Sequence, residues 1–218
     1  NHTVELAHAA QRAGVDGLLV VTPYYNKPPQ EGLIRHFTAA ADATELPVML
    51  YDIPGRCGTE IETETLVRLA EHPRIVAVKD AKGDLAATSW VLARCGLTYY
   101  SGEDMLNLPL LSVGAVGFAS VVSHIVTGRL RALVESYEAG DVVRATALHR
   151  ELLPVYRGIF RGQGVVMTKA VLNSMGLPAG PVRSPLLDAT PQQRAVLAKD
   201  LAAAGIAMNG RPAVQPTR

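Results

Sequence analysis

The chain repeats one pattern five times: a short apolar run, a polar loop and an amphipathic segment, with a pitch of roughly 20 to 30 residues. The apolar runs cover residues 15–22, 47–51, 74–79, 97–101 and 115–121. They are apolar throughout rather than alternating, which is typical of strands buried on both faces of a parallel sheet. The pattern therefore predicts an α/β fold in which helices connect parallel strands.

Two architectures accommodate five consecutive strand–helix units. One is a doubly wound sheet and the other is part of a (β/α)8 barrel, the TIM barrel. A doubly wound sheet that binds a dinucleotide carries a G-x-G-x-x-G turn after a strand, and none of the five runs is followed by one. This favours the barrel.

The pattern changes to helices alone in the last third of the chain. Predicted helices cover residues 129–139, 141–160, 165–174 and 191–204. We therefore predict a partial barrel over residues 1–128, a C-terminal helical region over 129–207 and a tail over 208–218. A whole barrel needs about 250 residues, and no strand precedes the first helix, at 3–13. We expect an N-terminally incomplete sequence.

Composition excludes several classes of protein. Lys and Arg number 21 and Asp and Glu 20, for a net charge of +1, so we expect neither a nucleic-acid partner nor a membrane surface. No apolar run approaches the roughly 18 residues of a spanning helix. Two cysteines cannot form a disulfide framework, and the six histidines lack metal-ligand spacing. We expect a cytoplasmic protein without a metal.

Reactive groups of α/β barrels lie at the carboxyl ends of the strands. Lys79 ends the third run, where a desolvated lysine can lose its proton and attack a carbonyl. The alternative is that Lys79 leaves the strand for solvent, paired with Asp80. Tyr51 ends the second run and either relays protons or is an ordinary core tyrosine.

Other candidates lie in the loops after these runs. Arg56, in a Pro-Gly-Arg turn, either binds a carboxylate or is a solvated surface residue. Tyr24 and Tyr25 are candidates for a gate, a subunit contact or ordinary packing. Cys57 lacks a histidine partner in the sequence. Glu103 and Asp104 are better placed to cap a helix than to form a carboxylate pair.

Three motifs carry a resemblance to a known family. They are VVTPYYNKPPQEGL at 20–33, LYDIPGRCG at 50–58 and IVAVKDAKGDL at 75–85, followed by YYSGED at 99–104 and GAVGFASVVSH at 114–124. In this order and spacing they resemble the dihydrodipicolinate synthase family of pyruvate-dependent class I aldolases. The resemblance extends to about residue 204.

The resemblance implies a role for each of five residues. Lys79 matches the lysine that forms a Schiff base with pyruvate, and Tyr51 matches the proton-relay tyrosine. Tyr25 matches a tyrosine donated across a dimer interface. Arg56 matches the arginine that binds the carboxylate of aspartate semialdehyde, and the backbone of Ala119 matches part of the pyruvate pocket.

The implied reaction condenses pyruvate with L-aspartate 4-semialdehyde to 4-hydroxy-tetrahydrodipicolinate, in lysine and diaminopimelate biosynthesis. It needs no metal or organic cofactor, and the family forms dimers of dimers. The five runs then correspond to barrel strands 4 to 8. The family's Gly-Thr-Thr-Gly-Glu pyruvate loop does not occur in this sequence. We therefore expect the chain alone to be inactive or prone to aggregate.

Two other readings remain open. An N-acetylneuraminate lyase or a 2-keto-3-deoxy sugar-acid aldolase would share the lysine and the tyrosine. Arg56 and Tyr25 favour a small acidic aldehyde over those longer substrates. The third reading is a non-catalytic barrel that binds a keto acid reversibly, which the combination of Lys79, Tyr51 and Arg56 disfavours.

Overall fold

The computed structural model of the chain describes residues 2–208. The predicted tail at 208–218 therefore lies outside the described residues, except for its first residue. The described chain divides into two compact units, one ending at Ala119 and the other beginning at Ser120.

The first unit is built around a five-stranded parallel sheet. Its strands are β1 (Leu18–Val21), β2 (Val48–Asp52), β3 (Ile75–Asp80), β4 (Thr98–Ser101) and β5 (Gly117–Phe118). They lie in the sheet in chain order and every neighbouring pair is parallel. The predicted α/β fold with a parallel sheet is confirmed. A doubly wound sheet reverses its strand order at a switch point, so the order favours a barrel.

Helices connect the strands of this unit, and one helix precedes the first strand. They are α1 (His2–Arg12), α2 (Gln30–Asp42), α3 (Pro54–Cys57), α4 (Thr63–Leu69), α5 (Leu85–Leu92) and α6 (Asn107–Ser112), with a 3-10 helix at Asp104–Leu106. The sequence pattern missed α3, because four residues are too few to show a helical period.

The two faces of the sheet have different environments. One face packs under the helices, and Leu50, Val78 and Tyr99 are buried there with Phe37 of α2. Side chains alternate along a strand, so the residues between these point to the opposite face. Leu19, on that second face, is 54% exposed. The described part of the first unit thus covers only one face of its sheet.

The last strand is shorter than its apolar run predicts. In the run at 115–121 the strand consists of Gly117 and Phe118, which lie opposite Tyr100 and Ser101, and the flanking Val116 and Ala119 also donate backbone hydrogen bonds to the preceding strand. Apolar composition alone does not distinguish a paired strand from an extended segment that leaves the sheet. The prediction of a full-length fifth strand is therefore wrong.

The second unit is helical in the described residues. Its helices are α7 (Ser123–Glu138), α8 (Val142–Phe160), α9 (Gly164–Ser174) and α10 (Pro191–Ala203). Helix α7 begins six residues before the predicted start at 129, and Val126 interrupts it with non-helical angles (φ −129°, ψ 30°). Asp141 is the N-cap of α8, and its side chain accepts a hydrogen bond from Arg144 N.

A buried carboxylate connects α8 to α10. The side chain of Asp200, on α10, accepts hydrogen bonds from Arg157 Nη2 and Arg161 Nε, each at 2.6 Å. The pKa of Asp200 is lowered below its usual value of 3.8, mainly because of the hydrogen bond from Arg161. The hydrogen bond and the charge of Arg157 lower it further. No helix among residues 2–208 has the length and hydropathy to cross a membrane.

We predict that Asp200→Asn destabilises the protein by about 1–2 kcal/mol at neutral pH, because one charge-assisted acceptor is lost beside half-exposed arginines. A carboxyl with a lowered pKa contributes fully above its unfolded pKa and less as pH falls through the folded value. The difference from wild type should therefore shrink below pH 3.8. Urea unfolding between pH 7 and 3 measures it. Glu151→Gln, at an exposed ion pair within α8, should change stability by less than about 0.5 kcal/mol.

Candidate active site

Two reactive side chains lie together at the carboxyl edge of the sheet. Tyr51 on β2 and Lys79 on β3 are register partners, and the Lys79 Nζ lies 4.2 Å from the centroid of the Tyr51 ring. Both side chains are only partly buried. Strand alternation places them on the face that the helices leave uncovered. The structure thus brings together the two residues that the sequence singled out for imine chemistry.

Partial burial favours the neutral form of the Lys79 amine. Desolvation is the main cause of a lowered Lys79 pKa, the Arg56 charge lowers it further, and the buried Asp104 carboxylate opposes both. A lowered pKa increases the fraction of neutral amine, which is the form that attacks a carbonyl. The pKa of the Tyr51 hydroxyl is raised, also mainly by desolvation, so the phenol keeps its proton.

Arg56 lies in the loop that follows Tyr51. Helix α3 spans Pro54–Cys57, and its C-cap is Gly58, which has a φ of 76° and whose N–H donates to Pro54 O. The guanidinium is exposed, and its charge acts on both the Lys79 amine and the Tyr51 hydroxyl. An arginine beside the reacting groups, with its guanidinium N–H groups open to solvent, can bind the carboxylate of a substrate that enters the site.

The backbone of Gly102 packs closely against the aliphatic stem of the Lys79 side chain. A Cβ on Gly102, just after β4, would lie 2.8 Å from Lys79 Cγ and 2.9 Å from its Cε. Only glycine leaves room there for the lysine stem. Ala119, just after β5, donates its N–H to Ser101 O at 2.7 Å and so follows the same sheet edge.

Tyr25 is not part of the Lys79–Tyr51 cluster of this chain. It lies in the loop after β1 with a φ of 72° and is 94% exposed. Its neighbour Tyr24 is 70% exposed. Packing within the chain, one of the three options for this pair, is therefore wrong, and a gate or a subunit contact remains.

Three other candidate residues do not have the roles that the sequence suggested for them. Cys57 is buried, and desolvation is the main cause of its raised thiol pKa, which disfavours a nucleophilic thiolate. Glu103 precedes the 3-10 helix but makes no side-chain capping bond. Asp104 is buried instead and accepts a hydrogen bond from the Asn107 amide.

The sequence reading missed a buried polar network behind the site. Asp52 and Asp80 follow Tyr51 and Lys79 directly and are 1% and 3% exposed. Asp80 does not pair with Lys79, as the solvent interpretation supposed, but bonds to the loop and helix that follow it. The sequence signal that could have revealed this network is the aspartate that directly follows both Tyr51 and Lys79. Among residues 2–208 no group of three or more His, Cys, Asp or Glu side chains is arranged to hold a metal.

Comparisons with known proteins point to one family. The model of the dihydrodipicolinate synthetase family matches residues 1–204. The chain is 65% identical, over 94% of its length, to 4-hydroxy-tetrahydrodipicolinate synthase 2 of Streptomyces coelicolor. It is 63% identical, over 94% of its length, to the corresponding synthase of Acidothermus cellulolyticus. It spans 69% and 66% of these two relatives.

Solved structures agree with the sequence comparisons. A crystal structure of the Cyanidioschyzon merolae synthase with lysine bound superposes with a TM-score of 0.90 at 39% identity, covering 93% of this chain and 70% of that one. The synthase of Methylacidiphilum fumariolicum gives a TM-score of 0.89 at 40% identity, covering 93% and 68%. With a parallel sheet, a lysine and a tyrosine at its carboxyl edge and these relatives, the chain belongs to the dihydrodipicolinate synthetase family.

Proposed function

We propose that the protein containing this chain is a 4-hydroxy-tetrahydrodipicolinate synthase, a lyase that condenses pyruvate with L-aspartate 4-semialdehyde. One observation carries the proposal: the half-buried Lys79 amine, with its lowered pKa, lies against Tyr51 at the carboxyl edge of a parallel sheet. A neutral amine beside a phenolic proton donor is what imine formation with a keto acid requires.

The proposed chemistry uses only these side chains. The Lys79 amine attacks the ketone carbon of pyruvate, and water leaves to form a protonated imine. Loss of a methyl proton gives an enamine, whose carbon attacks the aldehyde of the second substrate. That substrate's amine then attacks the imine carbon, closes the ring and releases Lys79. Tyr51 carries protons in these steps, and the protonated imine accepts the electrons without a metal or organic cofactor.

Substrate binding and assembly complete the proposal. Arg56 binds the carboxylate of the semialdehyde, and the backbone at Ala119 lines the pyruvate pocket. The exposure of Tyr25 supports its donation to the site of a second subunit in a dimer of dimers, because an isolated subunit would leave the ring in water. The free cysteines, Cys57 and Cys95, support a cytoplasmic location.

We infer further that β1 to β5 are strands 4 to 8 of an eight-stranded barrel, with the second unit as its helical extension. The uncovered sheet face supports this, because a groove on it is lined by apolar and aromatic residues including Leu19, Met49 and Tyr100. Side chains of this kind fill the interior of a TIM barrel. Three upstream strand–helix units would cover that face.

We predict that borohydride traps pyruvate on Lys79 of the complete gene product that contains this chain. The adduct should map to this lysine by mass spectrometry, should be absent in Lys79→Met and should be unchanged in Lys199→Met, at an exposed residue of α10. The trapping rate should rise with pH with a midpoint below 10.5, because burial lowers the pKa of Lys79 from that value. A folded protein without an adduct contradicts the proposal.

We predict that Gly102→Ala slows trapping by about tenfold, because the new Cβ displaces the Lys79 stem by a fraction of an ångström. Gly96→Ala is the matched control, since a Cβ there meets nothing within 4 Å. Equal trapping rates in the two variants would show that the lysine stem adjusts without consequence.

We predict that Leu19→Ala lowers the free energy of unfolding of the complete gene product by about 2–5 kcal/mol. Leu50→Ala should lower it by a similar amount, both in the complete gene product and in this chain alone. In this chain alone Leu19 is 54% exposed and Leu50 fully buried, so Leu19→Ala should then cost under about 1 kcal/mol. Denaturant unfolding of both forms tests the barrel. A small cost of Leu19→Ala in the complete protein would mean that nothing upstream covers this face.

A further inference from the structure

Each of the two reactive residues is followed by a buried aspartate. Tyr51 and Lys79 are register partners, and so are Asp52 and Asp80. Because side chains alternate along a strand, the two carboxylates point away from the reacting groups and into the face covered by helices. The position of each reactive side chain therefore depends on how its neighbouring aspartate is anchored.

Asp80 anchors the loop that leaves β3. Its Oδ1 accepts hydrogen bonds from the N–H groups of Lys82 at 2.8 Å and Gly83 at 3.1 Å. Its Oδ2 accepts from the Thr88 hydroxyl at 2.8 Å. These bonds turn the chain immediately after Lys79 and fix the backbone from which the Lys82 side chain starts.

Lys82 crosses from this loop to the loop that follows β2. Its Nζ donates to Ile61 O at 3.1 Å and lies 3.5 Å from Asp52 Oδ2 and 3.6 Å from Glu60 Oε2. Ile61 N donates to the other Asp52 oxygen at 3.2 Å. Lys82 thus binds both the carboxylate behind Tyr51 and the loop that this carboxylate holds.

The Asp52–Lys82 ion pair is buried. The side chains of Asp52 and Lys82 are only 2% and 10% exposed. Removal of one partner from such a pair leaves a charge without compensation and disturbs the structure around it. An exposed surface pair would have little effect.

The charges around Asp52 make its ionisation depend on Lys82. Desolvation raises the pKa of Asp52 to about 6, and the Lys82 charge is the largest influence lowering it. The other titratable groups that face Asp52 are Asp80 of β3, Glu60 of the following loop, Cys57 of α3 and Tyr99 of β4. None of these is a cation, so loss of the Lys82 charge would raise the Asp52 pKa further.

We propose that Lys82 is a positioning residue for the imine reaction: its ammonium joins the Asp52 carboxylate and Ile61, fixes the end of β3 against the end of β2 and so holds Lys79 against Tyr51. The proposal rests on the proposed function. Lys82 itself points to the helix-covered side and does not touch the reacting groups. Its contribution is to the geometry of two side chains that must meet one substrate carbon.

The test compares Lys82→Met and the double variant Asp52→Asn/Lys82→Met with the complete wild-type gene product. Both should lower kcat and the rate of borohydride trapping on Lys79 by about tenfold or more, since small displacements of reacting groups cost that much. The KM for pyruvate should stay within about twofold, because neither residue binds substrate. Circular dichroism at each pH establishes that each variant is folded.

The pH profile separates positioning from a general loss of stability. In Lys82→Met the pKa of Asp52 should lie above about 6, so the unpaired carboxyl should be protonated at low pH and should become charged as the pH rises. The ratio of its kcat to that of wild type should therefore fall as pH rises. In the double variant no carboxyl remains at position 52, so its ratio should stay constant with pH.

Arg94→Met is the matched control. Arg94 forms an ion pair with Glu64 of α4 and so also joins two neighbouring strand–helix units, but its side chain is 39% exposed and that of Glu64 71%. Its kcat and pH profile should match those of wild type.

Three outcomes overturn the proposal: a kcat within about twofold of wild type in Lys82→Met or in the double variant, a change confined to KM, or an equal loss in Arg94→Met. If Lys82→Met does not fold, the double variant decides, because it buries no unpaired carboxylate. A wild-type protein without a Lys79 adduct refutes the proposed function instead, which keeps the two failures distinct.

Discussion

The parallel pairing of β2 with β3 is the constraint on which the candidate site depends. It sets Tyr51 opposite Lys79 and Asp52 opposite Asp80 in one register. A shift of one residue in either strand would send a reactive side chain under the helices and a carboxylate to the uncovered face. Apolar residues buried on the helix side, such as Leu50 and Val78, resist that shift because it would expose them. The core thus fixes the chemistry through the register.

At the strand ends, the two faces of the sheet place their ionisable groups in different electrostatic environments. On the uncovered face, partial burial favours a neutral Lys79 amine, and the Arg56 charge adds to this effect. On the covered face, burial also disfavours the Asp52 charge, and Lys82 compensates for it. A lysine with a lowered pKa thus lies on one side of the sheet, while a second lysine lies 3.5 Å from a buried carboxylate on the other. Two lysines three residues apart have different roles because the loop turns between them.

Sequence reasoning recovered the elements that have a clear period. It placed β2 and β3 within a residue of their observed bounds, and the strands end at Asp52 and Asp80, one residue after the predicted ends at Tyr51 and Lys79. It missed α3, which is four residues long, and it extended β5 beyond Gly117–Phe118, because composition does not show where pairing stops. The candidate site residues Tyr51 and Lys79 were singled out through their places near strand ends. The network behind them was missed because its bonds join Lys82 to residues 21 and 30 positions earlier.

The uncovered face explains why a site of this kind requires more than its reactive residues. The lowered pKa of Lys79 comes mainly from desolvation, and Lys79 is only partly buried in the described chain. Any structure that covers the remaining face would remove more water from the amine and strengthen each charge interaction around it. The opposing Asp104 carboxylate, already buried, would then also act more strongly. The pKa of Lys79 therefore depends both on the sheet that carries it and on how much water reaches the open face.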